Sequence, residues 1–230
     1  MSKIIIGISR CLLGDPVRYD GGHKKHSLII DIFSRFCEFH SFCPEVEIGL
    51  GIPRTPIQLV KQNGQIRCIE IENTKRDVTQ ALTEIAEHQK NNILKLSGYI
   101  FKGNSPSCGP HNVKILVDNQ TRLDGTGIFA KEIIKMLPLL PVADELRLED
   151  TKIRKKFIER IFMYYRWKQL TSEKFSKELL YQFHDRYKKY IKLHPQFSEL
   201  EIKLSVIDNN NFHKFSNAYF YLLMKMFMAR

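Results

Sequence analysis

Strand-like runs that alternate with helical segments constrain the fold of this chain most. "KIIIGIS" (3–9) is a continuous apolar run typical of a buried strand, and 57–72 holds two β-like runs about Asn63-Gly64, which indicates a hairpin. Further short strands are predicted at "YIFK" and "VKILV", and "LPLLPV" is expected to lead into a final short strand or turn. Helices are predicted at 28–39, 77–98 and 127–137. This alternation predicts an α/β domain with a largely parallel sheet.

The pattern changes after about residue 148. Apolar residues then recur four positions apart in two segments, at 153, 157, 161 and 165 and at 175, 179, 183, 187 and 191. This spacing predicts two amphipathic helices, and a third apolar helix is predicted at 212–228. We therefore expect an α/β domain over residues 1–148 and a small all-α domain over 149–230.

The positive charge of the chain is unevenly distributed. The net charge is +11, but residues 1–150 hold 19 Lys and Arg against 18 Asp and Glu, a balance of +1. Residues 151–230 hold 17 against 7, a balance of +10, together with 17 of the 25 aromatic residues. A basic, aromatic-rich module favours a polyanionic partner, with nucleic acid as the first candidate. A basic solvated surface over an aromatic helical core explains the composition equally well.

The hydropathy of the chain and its number of cysteines predict its cellular compartment. The first apolar run is short and is broken by Arg10, so it does not resemble a secretory signal. No window approaches the roughly 20 apolar residues that span a bilayer. The default expectation is a cytoplasmic protein with no membrane partner. Five cysteines, an odd number, argue against a disulfide framework in such a chain.

Three cysteines each follow a predicted strand. Cys11, Cys43 and Cys108 lie in irregular loops beside Gly or Pro, whereas Cys37 is predicted in a helix and Cys68 in a hairpin strand. Because ligands bind outside the carboxyl ends of parallel strands, the three loops are expected to converge on a shared metal site. The alternative is three small, buried, inert side chains. With no CxxC pair and no evident fourth ligand, three thiolates suit a [4Fe–4S] cluster with one open iron.

Five motifs carry a resemblance to a known family. In order, they are "ISRCLLGDPVRYDGGHK", "CPEVEIGLGIPRTP", "RDVT", "KGNSPSCG" and "DGTGIFAKEI". Together they closely resemble the 2-thiouracil desulfidase family over residues 3 to about 145. The resemblance implies a Rossmann-like three-layer domain and a [4Fe–4S] cluster held by Cys11, Cys43 and Cys108. It also implies a catalytic acid at Glu45 and a catalytic serine at Ser105, with Ser107 as the second choice.

The implied chemistry suits these residue types. An open iron is a Lewis acid that binds sulfur, so a thiocarbonyl bound there presents an electrophilic carbon. Glu45 is expected to activate water as a general base, and Ser105 to donate a hydrogen bond or relay a proton. From the local sequence alone, the favoured interpretation is a capping carboxylate for Glu45 and a turn residue before Pro106 for Ser105.

Several polar residues in the same motifs are candidates for substrate contact. Tyr19, Asp20 and His23 lie in a Gly-rich stretch that is expected either to contact substrate or to form a turn with solvated charges. Arg54 is expected to bind a phosphate or carboxylate, or to pair with a structural acid. Lys102 is expected to add positive charge near an anionic site.

The helical segments resemble the domain of unknown function that is often fused to these desulfidases. Fused members are linked to removal of sulfur from 4-thiouridine in tRNA, and the domain is usually longer, so this chain is expected to carry a shortened one. The basic residues that this resemblance offers for phosphate contact are Lys155, Lys156, Arg160, Arg186, Lys188, Lys189 and Lys192. A solvated face is the alternative for each. Two other functions remain open: desulfidation of free thiouracil-like molecules, and RNA binding by a non-catalytic Fe–S protein.

Overall fold

Residues 3–118, 120–172, 175–207 and 212–228 are described by a computed structural model of the chain. Their contacts form two units, one ending at Phe157 and the other beginning at Ile158. The division lies inside a long helix, Thr151–Ser172, whereas the sequence places the domain boundary at residue 148. The domain limits from the sequence stay a prediction.

Eight strands and nine α-helices occur in the described residues. The strands are β1 (Ile4–Ser9), β2 (Cys37–Phe42), β3 (Ile57–Gln62), β4 (Gln65–Glu70), β5 (Tyr99–Phe101), β6 (Val113–Val117), β7 (Gln120–Gly125) and β8 (Val142–Asp144). The helices are α1 (Ser27–Phe33), α2 (Pro44–Glu47), α3 (Thr79–His88), α4 (Lys90–Ile93), α5 (Ile128–Met136), α6 (Thr151–Ser172), α7 (Lys177–Ile191), α8 (Phe197–Ser205) and α9 (Phe212–Met228).

The first sheet is parallel throughout. Its order is β2-β1-β5-β8, and each neighbouring pair of strands runs in the same direction. The chain moves from β1 to one side to form β2, and later to the other side to form β5 and β8, so the strand order switches between β1 and β5. Such a switch opens a crevice at the carboxyl ends of the strands. The predicted α/β class is confirmed.

The hairpin belongs to a second sheet that the sequence did not separate from the first. Its order is β4-β3-β6-β7, with antiparallel outer pairs and a parallel β3–β6 pair. Asn63 and Gly64 make the predicted turn, both with positive φ. Leu59, Cys68 and Leu82 share the apolar core of this sheet and α3, so Cys68 is buried as expected.

Two predicted helices are too long. The helix predicted over 77–98 is observed as the shorter helices α3 and α4, the second of which ends at Ile93. The prediction of a helix over 28–39 holds only to Phe33; a turn follows, and β2 begins at Cys37. The apolar residues in this segment suit a helix locally, but parallel pairing of Cys37 with Ile4 gives the backbone of β2 a place in the sheet. Cys37 is therefore buried in a strand, not in a helix.

Aromatic side chains support the carboxyl edge of the first sheet. Tyr99 and Phe101 stack with 3.9 Å between ring centroids, and Phe42 stacks on Tyr99 at 5.6 Å. All three side chains are fully or almost fully buried. Because β2 and β5 end at this aromatic layer, the residues that follow them start from rigid, dry positions.

All the regular secondary structure in the described part of the second unit is helical. Trp167 of α6 stacks on Phe220 of α9 with ring centroids 4.4 Å apart, and its other neighbours include Phe183 of α7. The sequence predicts helices α6, α7 and α9 but not α8. Residues 173 and 174, which the prediction places near the start of α7, lie outside the described residues. No helix in the described residues is long and apolar enough to cross a membrane.

Candidate active site

The predicted cysteine loops converge in the first unit. A cavity of about 300 Å³ opens at the carboxyl edge of the first sheet. Its wall contains all three predicted cysteines and both predicted catalytic residues: Cys11, Cys43, Cys108, Glu45 and Ser105. Phe42 also lines it, so the aromatic layer forms part of the wall. The expected convergence of loops from separate strand ends is therefore present.

Cys11 and Cys43 follow neighbouring strands. Cys11 lies in a 3₁₀ turn directly after β1. Gly14 ends this turn with a φ of 107°, in the left-handed region that favours glycine. Cys43 precedes α2, and its backbone N–H donates to Glu47 Oε1 at 3.0 Å. Short turns after paired strands thus hold both thiols at the same edge.

Two glycines shape the loop that carries Cys108. A Cβ on Gly109 would lie 2.4 Å from a methyl carbon of Val113, and a Cβ on Gly127 would lie 2.5 Å from the backbone carbon of Ser107. This close approach lets the start of α5 bind the loop: the N–H groups of Gly127 and Ile128 donate to the carbonyls of Gly109 and Pro106 at 2.7 and 3.0 Å. The helix therefore fixes the backbone beside Cys108.

Burial keeps the three thiols protonated in the absence of a metal. It raises the pKa of Cys11 to about 11 and raises the pKa values of Cys43 and Cys108, in the last case well above the ordinary range. The pKa of Cys108 is raised further by the negative charge of Glu45. A bound cation would reverse this preference, because thiolates are the form that ligates metals.

The cysteines do not surround a single metal ion. In the residues that the structure describes, no three His, Cys, Asp or Glu side chains are grouped to hold one ion. The three thiols nevertheless share one cavity. A cluster, in which each thiolate binds a different iron, needs the ligands only around a common space.

Glu45 is held by a buried arginine. Arg54 donates to Glu45 Oε2 from Nε at 2.9 Å and from Nη2 at 2.8 Å. The same guanidinium donates to the carbonyls of Gly51 and Val17 at 3.0 and 2.9 Å. Arg54 therefore pairs with an acid, which is one of its two expected roles, and it fixes the orientation of that acid.

A chain of hydrogen bonds connects Glu45 with the cavity wall. Ser107 Oγ donates to Glu45 Oε1 at 2.5 Å and lies 3.0 Å from Ser105 Oγ. The backbone N–H of Cys108 donates to Ser105 Oγ at 3.1 Å. An ionised carboxylate only accepts, so Ser107 donates to Glu45 and Ser105 donates to Ser107. Ser105 lines the cavity, whereas Ser107 is fully buried behind it.

Lys102 has a partner that the sequence analysis missed. Its ammonium group pairs with Glu145, which also accepts from the backbone N–H of Gly103 at 2.6 Å. Glu145 is buried and directly follows β8, the fourth strand of the parallel sheet. Glu145 thus occupies a strand end of the same sheet, as the three cysteines do.

The Gly-rich stretch after Cys11 divides into cavity and turn residues. Tyr19 lines the cavity, with the Arg18 guanidinium 5.2 Å from its ring centroid. Asp20 does not line it; its side chain accepts from the backbone N–H of Gly22 at 3.0 Å, and this hydrogen bond lowers its pKa. His23 accepts from an exposed backbone N–H at 3.1 Å and is also outside the cavity.

Three further cations line the cavity, and two of them, Arg18 and Lys24, were not singled out from the sequence. The third is Arg10. Arg10 pairs with Asp15 at 2.7 Å and Arg18 lies 3.5 Å from Asp20. Together with Lys102 and Arg54 they make the wall predominantly positive, which suits an anionic group at the site.

Comparisons with known proteins identify the family of this fold and site. The 2-thiouracil desulfurase family model matches residues 6–145. The chain belongs to the 2-thiouracil desulfurase family. Membership confirms the predicted family, and with it an enzyme that breaks a carbon–sulfur bond.

The solved structure of TudS, a [4Fe–4S]-dependent thiouracil desulfidase, is 30% identical, has a TM-score of 0.51, and is matched over 65% of this chain and 94% of that one. YbbK, an uncharacterized protein of Bacillus subtilis (strain 168), is 26% identical over 135 residues, 55% of this chain and 87% of that one.

The basic candidates lie outside the segment that the desulfurase family model matches. Lys155 and Lys156 are exposed on α6 in the first unit, and Arg160 is half-buried in the second. Lys188 pairs with Glu201 at 3.2 Å, and Lys189 lies 4.9 Å from the ring centroid of Tyr190. Their role in binding RNA stays a prediction.

Proposed function

We propose that this chain is a [4Fe–4S]-dependent desulfidase that converts 4-thiouridine in tRNA to uridine. One observation carries the proposal: Cys11, Cys43 and Cys108 share a cavity with Glu45 and Ser105. A cluster with a purely structural role does not require an oriented carboxylate and a hydrogen-bonded serine beside it. The match to TudS supports the cofactor, because that protein is described as [4Fe–4S]-dependent.

The donor set fits the cofactor. Three sulfur ligands favour an iron–sulfur cluster over a hard cation, and all three line one cavity. Cys11, Cys43 and Cys108 would hold the cluster. When bound, it would supply an iron without a protein ligand, a Lewis acid with affinity for a thiocarbonyl sulfur.

Glu45 is the proposed general base. Its carboxylate is oriented by Arg54 through Oε2 and by Ser107 through Oε1. It takes a proton from water as the oxygen of that water adds to the thiocarbonyl carbon. The overall reaction consumes one water, replaces C=S with C=O and releases hydrogen sulfide, so no oxidant or reductant is needed.

The serine pair is the proposed route for returning the proton. Once Glu45 is protonated, it donates to Ser107, and Ser107 donates in turn to Ser105, which reverses the hydrogen bonds of the resting state. Ser105 then presents its proton at the cavity wall. The two serines therefore have different roles: Ser105 meets the substrate, whereas Ser107 connects it to the base.

The rest of the wall is proposed to hold the nucleotide. Tyr19 offers an exposed ring against which a base can stack, and Lys102, fixed by Glu145, contributes a positive charge. Asp20 would act through the turn that it caps, because its side chain does not line the cavity.

The choice of tRNA as substrate rests on the helical part of the chain. The last 80 residues carry a balance of +10, which a free thiobase does not require. Free thiouracil is the second candidate, since TudS is described as a thiouracil desulfidase and its likeness covers 65% of this chain. A non-catalytic Fe–S protein that binds RNA is the third.

Sulfide release separates these three functions. The protein is purified without oxygen, reconstituted with iron and sulfide, desalted, and incubated with tRNA that contains 4-thiouridine, with the same tRNA lacking sulfur, and with free 2-thiouracil. Sulfide above the unthiolated control with the thiolated tRNA supports the proposal. Release from the free base alone rejects tRNA as the substrate, and release from neither by cluster-loaded protein rejects desulfidase activity.

A further inference from the structure

An aromatic cleft lies within the second unit. Its volume is about 170 Å³, below the roughly 300–1,000 Å³ of sites for drug-sized ligands. It is lined by residues from α6, α7 and α9, namely Glu159, Phe162, Arg166, Tyr187, Tyr190 and Phe227. Four of the six are aromatic, and the size of the aromatic cleft suits one planar ring.

The rings in the aromatic cleft are held at fixed angles. Tyr187 and Phe227 are buried and meet edge to face, with ring centroids 6.1 Å apart. Arg166 donates to Tyr187 Oη at 2.9 Å and lies 5.5 Å from the ring centroid of Phe162. Tyr190 is different, because 37% of it remains exposed beside Phe227, with centroids 6.0 Å apart. An incoming ring would therefore stack on prearranged aromatic surface without ordering new side chains.

Positive charge adjoins the aromatic cleft along α7. Arg186 and Lys189 are exposed on α7 and directly precede Tyr187 and Tyr190 of the cleft in the chain. The Lys189 ammonium lies 4.9 Å from the Tyr190 ring centroid. Residues 158–230 hold 13 Lys and Arg against 7 Asp and Glu, a balance of +6. Stacking rings beside cations that can contact phosphates are the features by which proteins bind unpaired nucleotides.

We propose that the aromatic cleft binds one unpaired base of an RNA, with the flanking phosphates on the cations of α7. The identity of that RNA as the tRNA substrate rests on the proposed function; the binding of an unpaired base does not. Glu159 is the one acid in the lining, and its carboxylate accepts a hydrogen bond from a base with an amino group. The cleft would thus hold a nucleotide other than the one that reacts.

Fluorescence of 2-aminopurine tests this directly. A tRNA-like hairpin carries 2-aminopurine at an unpaired position and is mixed with the reconstituted full-length protein. Stacking on an aromatic ring quenches this base. The wild type is expected to quench it, and Tyr190→Ala to lose the quenching and bind the RNA about tenfold more weakly, in line with about 1–3 kcal/mol for each stacked base. Tyr190→Phe keeps the ring and should retain both.

Tyr181→Ala is the matched control. Tyr181 lies on the same helix, is also 37% exposed and does not line the aromatic cleft. It is expected to behave as the wild type, and all variants should hold the wild-type iron content after reconstitution. Quenching and affinity unchanged in Tyr190→Ala would overturn the proposal. Sulfide release from thiolated tRNA tests the proposed substrate separately. If the wild type quenches 2-aminopurine but releases no sulfide from this tRNA, only the proposed substrate is overturned. If it releases sulfide but Tyr190→Ala changes neither quenching nor affinity, only the role of the cleft is overturned.

Discussion

Ser107 donates a hydrogen bond of 2.5 Å to Glu45, although the two residues are 62 positions apart in the chain. The contact joins the loop after β5 to the short helix after β2. Because Ser107 is fully buried, no water competes for this bond. The carboxylate is thereby connected to Ser105 at the cavity wall, 3.0 Å from Ser107.

Removing the middle of this chain should slow catalysis while the cluster stays in place. Ser107→Ala breaks the connection between Glu45 and Ser105 but leaves both side chains intact. We expect kcat for sulfide release to fall about 10²-fold or more, the scale of general acid–base catalysis, with unchanged iron content. Ser97→Ala, at another buried serine, is the control. A Ser107→Ala enzyme with wild-type kcat would exclude the relay.

The ends of the same chain should behave alike. Glu45→Gln removes the base, and Ser105→Ala removes the donor at the cavity wall. Both are expected to keep iron at the wild-type level and to lower kcat about 10²-fold or more. If proton transfer runs through the relay, the double variant Glu45→Gln/Ser107→Ala should be no slower than Glu45→Gln alone. Multiplicative losses would show that the two residues act independently.

The pairing of Arg54 with Glu45 should dominate the local stability. Their side chains are 4% and 15% exposed, so water screens the charges little. Arg54→Met leaves a buried carboxylate without its partner and is expected to lower the free energy of unfolding by about 3–5 kcal/mol in urea titrations. Adding Glu45→Gln removes that charge and should recover part of the loss. If the losses of unfolding free energy caused by Arg54→Met and Glu45→Gln simply add in the double variant, the two side chains are not coupled.

The glycine at the start of α5 should be required for the cysteine loop. A Cβ at Gly127 would lie 2.5 Å from the carbonyl carbon of Ser107 and 2.8 Å from the nitrogen of Cys108. Gly127→Ala therefore moves the loop and is expected to lower iron incorporation and kcat together. At Gly22 a Cβ meets only the flexible side chain of Asp20, at 3.2 Å, so Gly22→Ala should load normally. Equal loading of the two variants would refute the role of Gly127.

The contribution of Cys37 to the free energy of unfolding should fall as the pH rises. Burial raises its pKa from 9.0 to about 12, so the folded state holds the thiol proton more tightly than the unfolded chain. The stabilisation is complete below pH 9 and declines as the pH rises towards 12, by about 1.4 kcal/mol per pH unit. Urea titrations of reduced protein should show a steeper decline for the wild type than for Cys37→Ala. Parallel curves would contradict this origin.

The strand-end rule made the location of the site predictable from sequence. Cys11, Cys43 and Cys108 follow three parallel strands, and parallel strands place their carboxyl ends on one edge of the sheet. The same rule could have yielded Glu145. It could not separate Ser105 from Ser107, because two residues of one irregular loop differ in direction only through the packing against α5 and Glu45.

Long-range pairing decided what local patterns could not. The segment before Cys37 has helical spacing, but parallel pairing with β1 makes its end a strand. The hairpin at Asn63 was evident from its turn residues, whereas its membership of a second sheet depends on the pairing of β3 with β6. The balance of +10 in the last 80 residues predicts a polyanion but names no contact, because charge counts contain no positions in space.

Iron content measured on cysteine variants tests the central claim most directly. After anaerobic reconstitution, the wild type, Cys37→Ala and Cys68→Ala are expected to hold about four irons per chain with matching sulfide. Cys11→Ala, Cys43→Ala and Cys108→Ala should each lose most of that iron while remaining folded by circular dichroism. A colourless wild type without iron, or the same iron content in all five variants, would contradict a cluster held by these three residues.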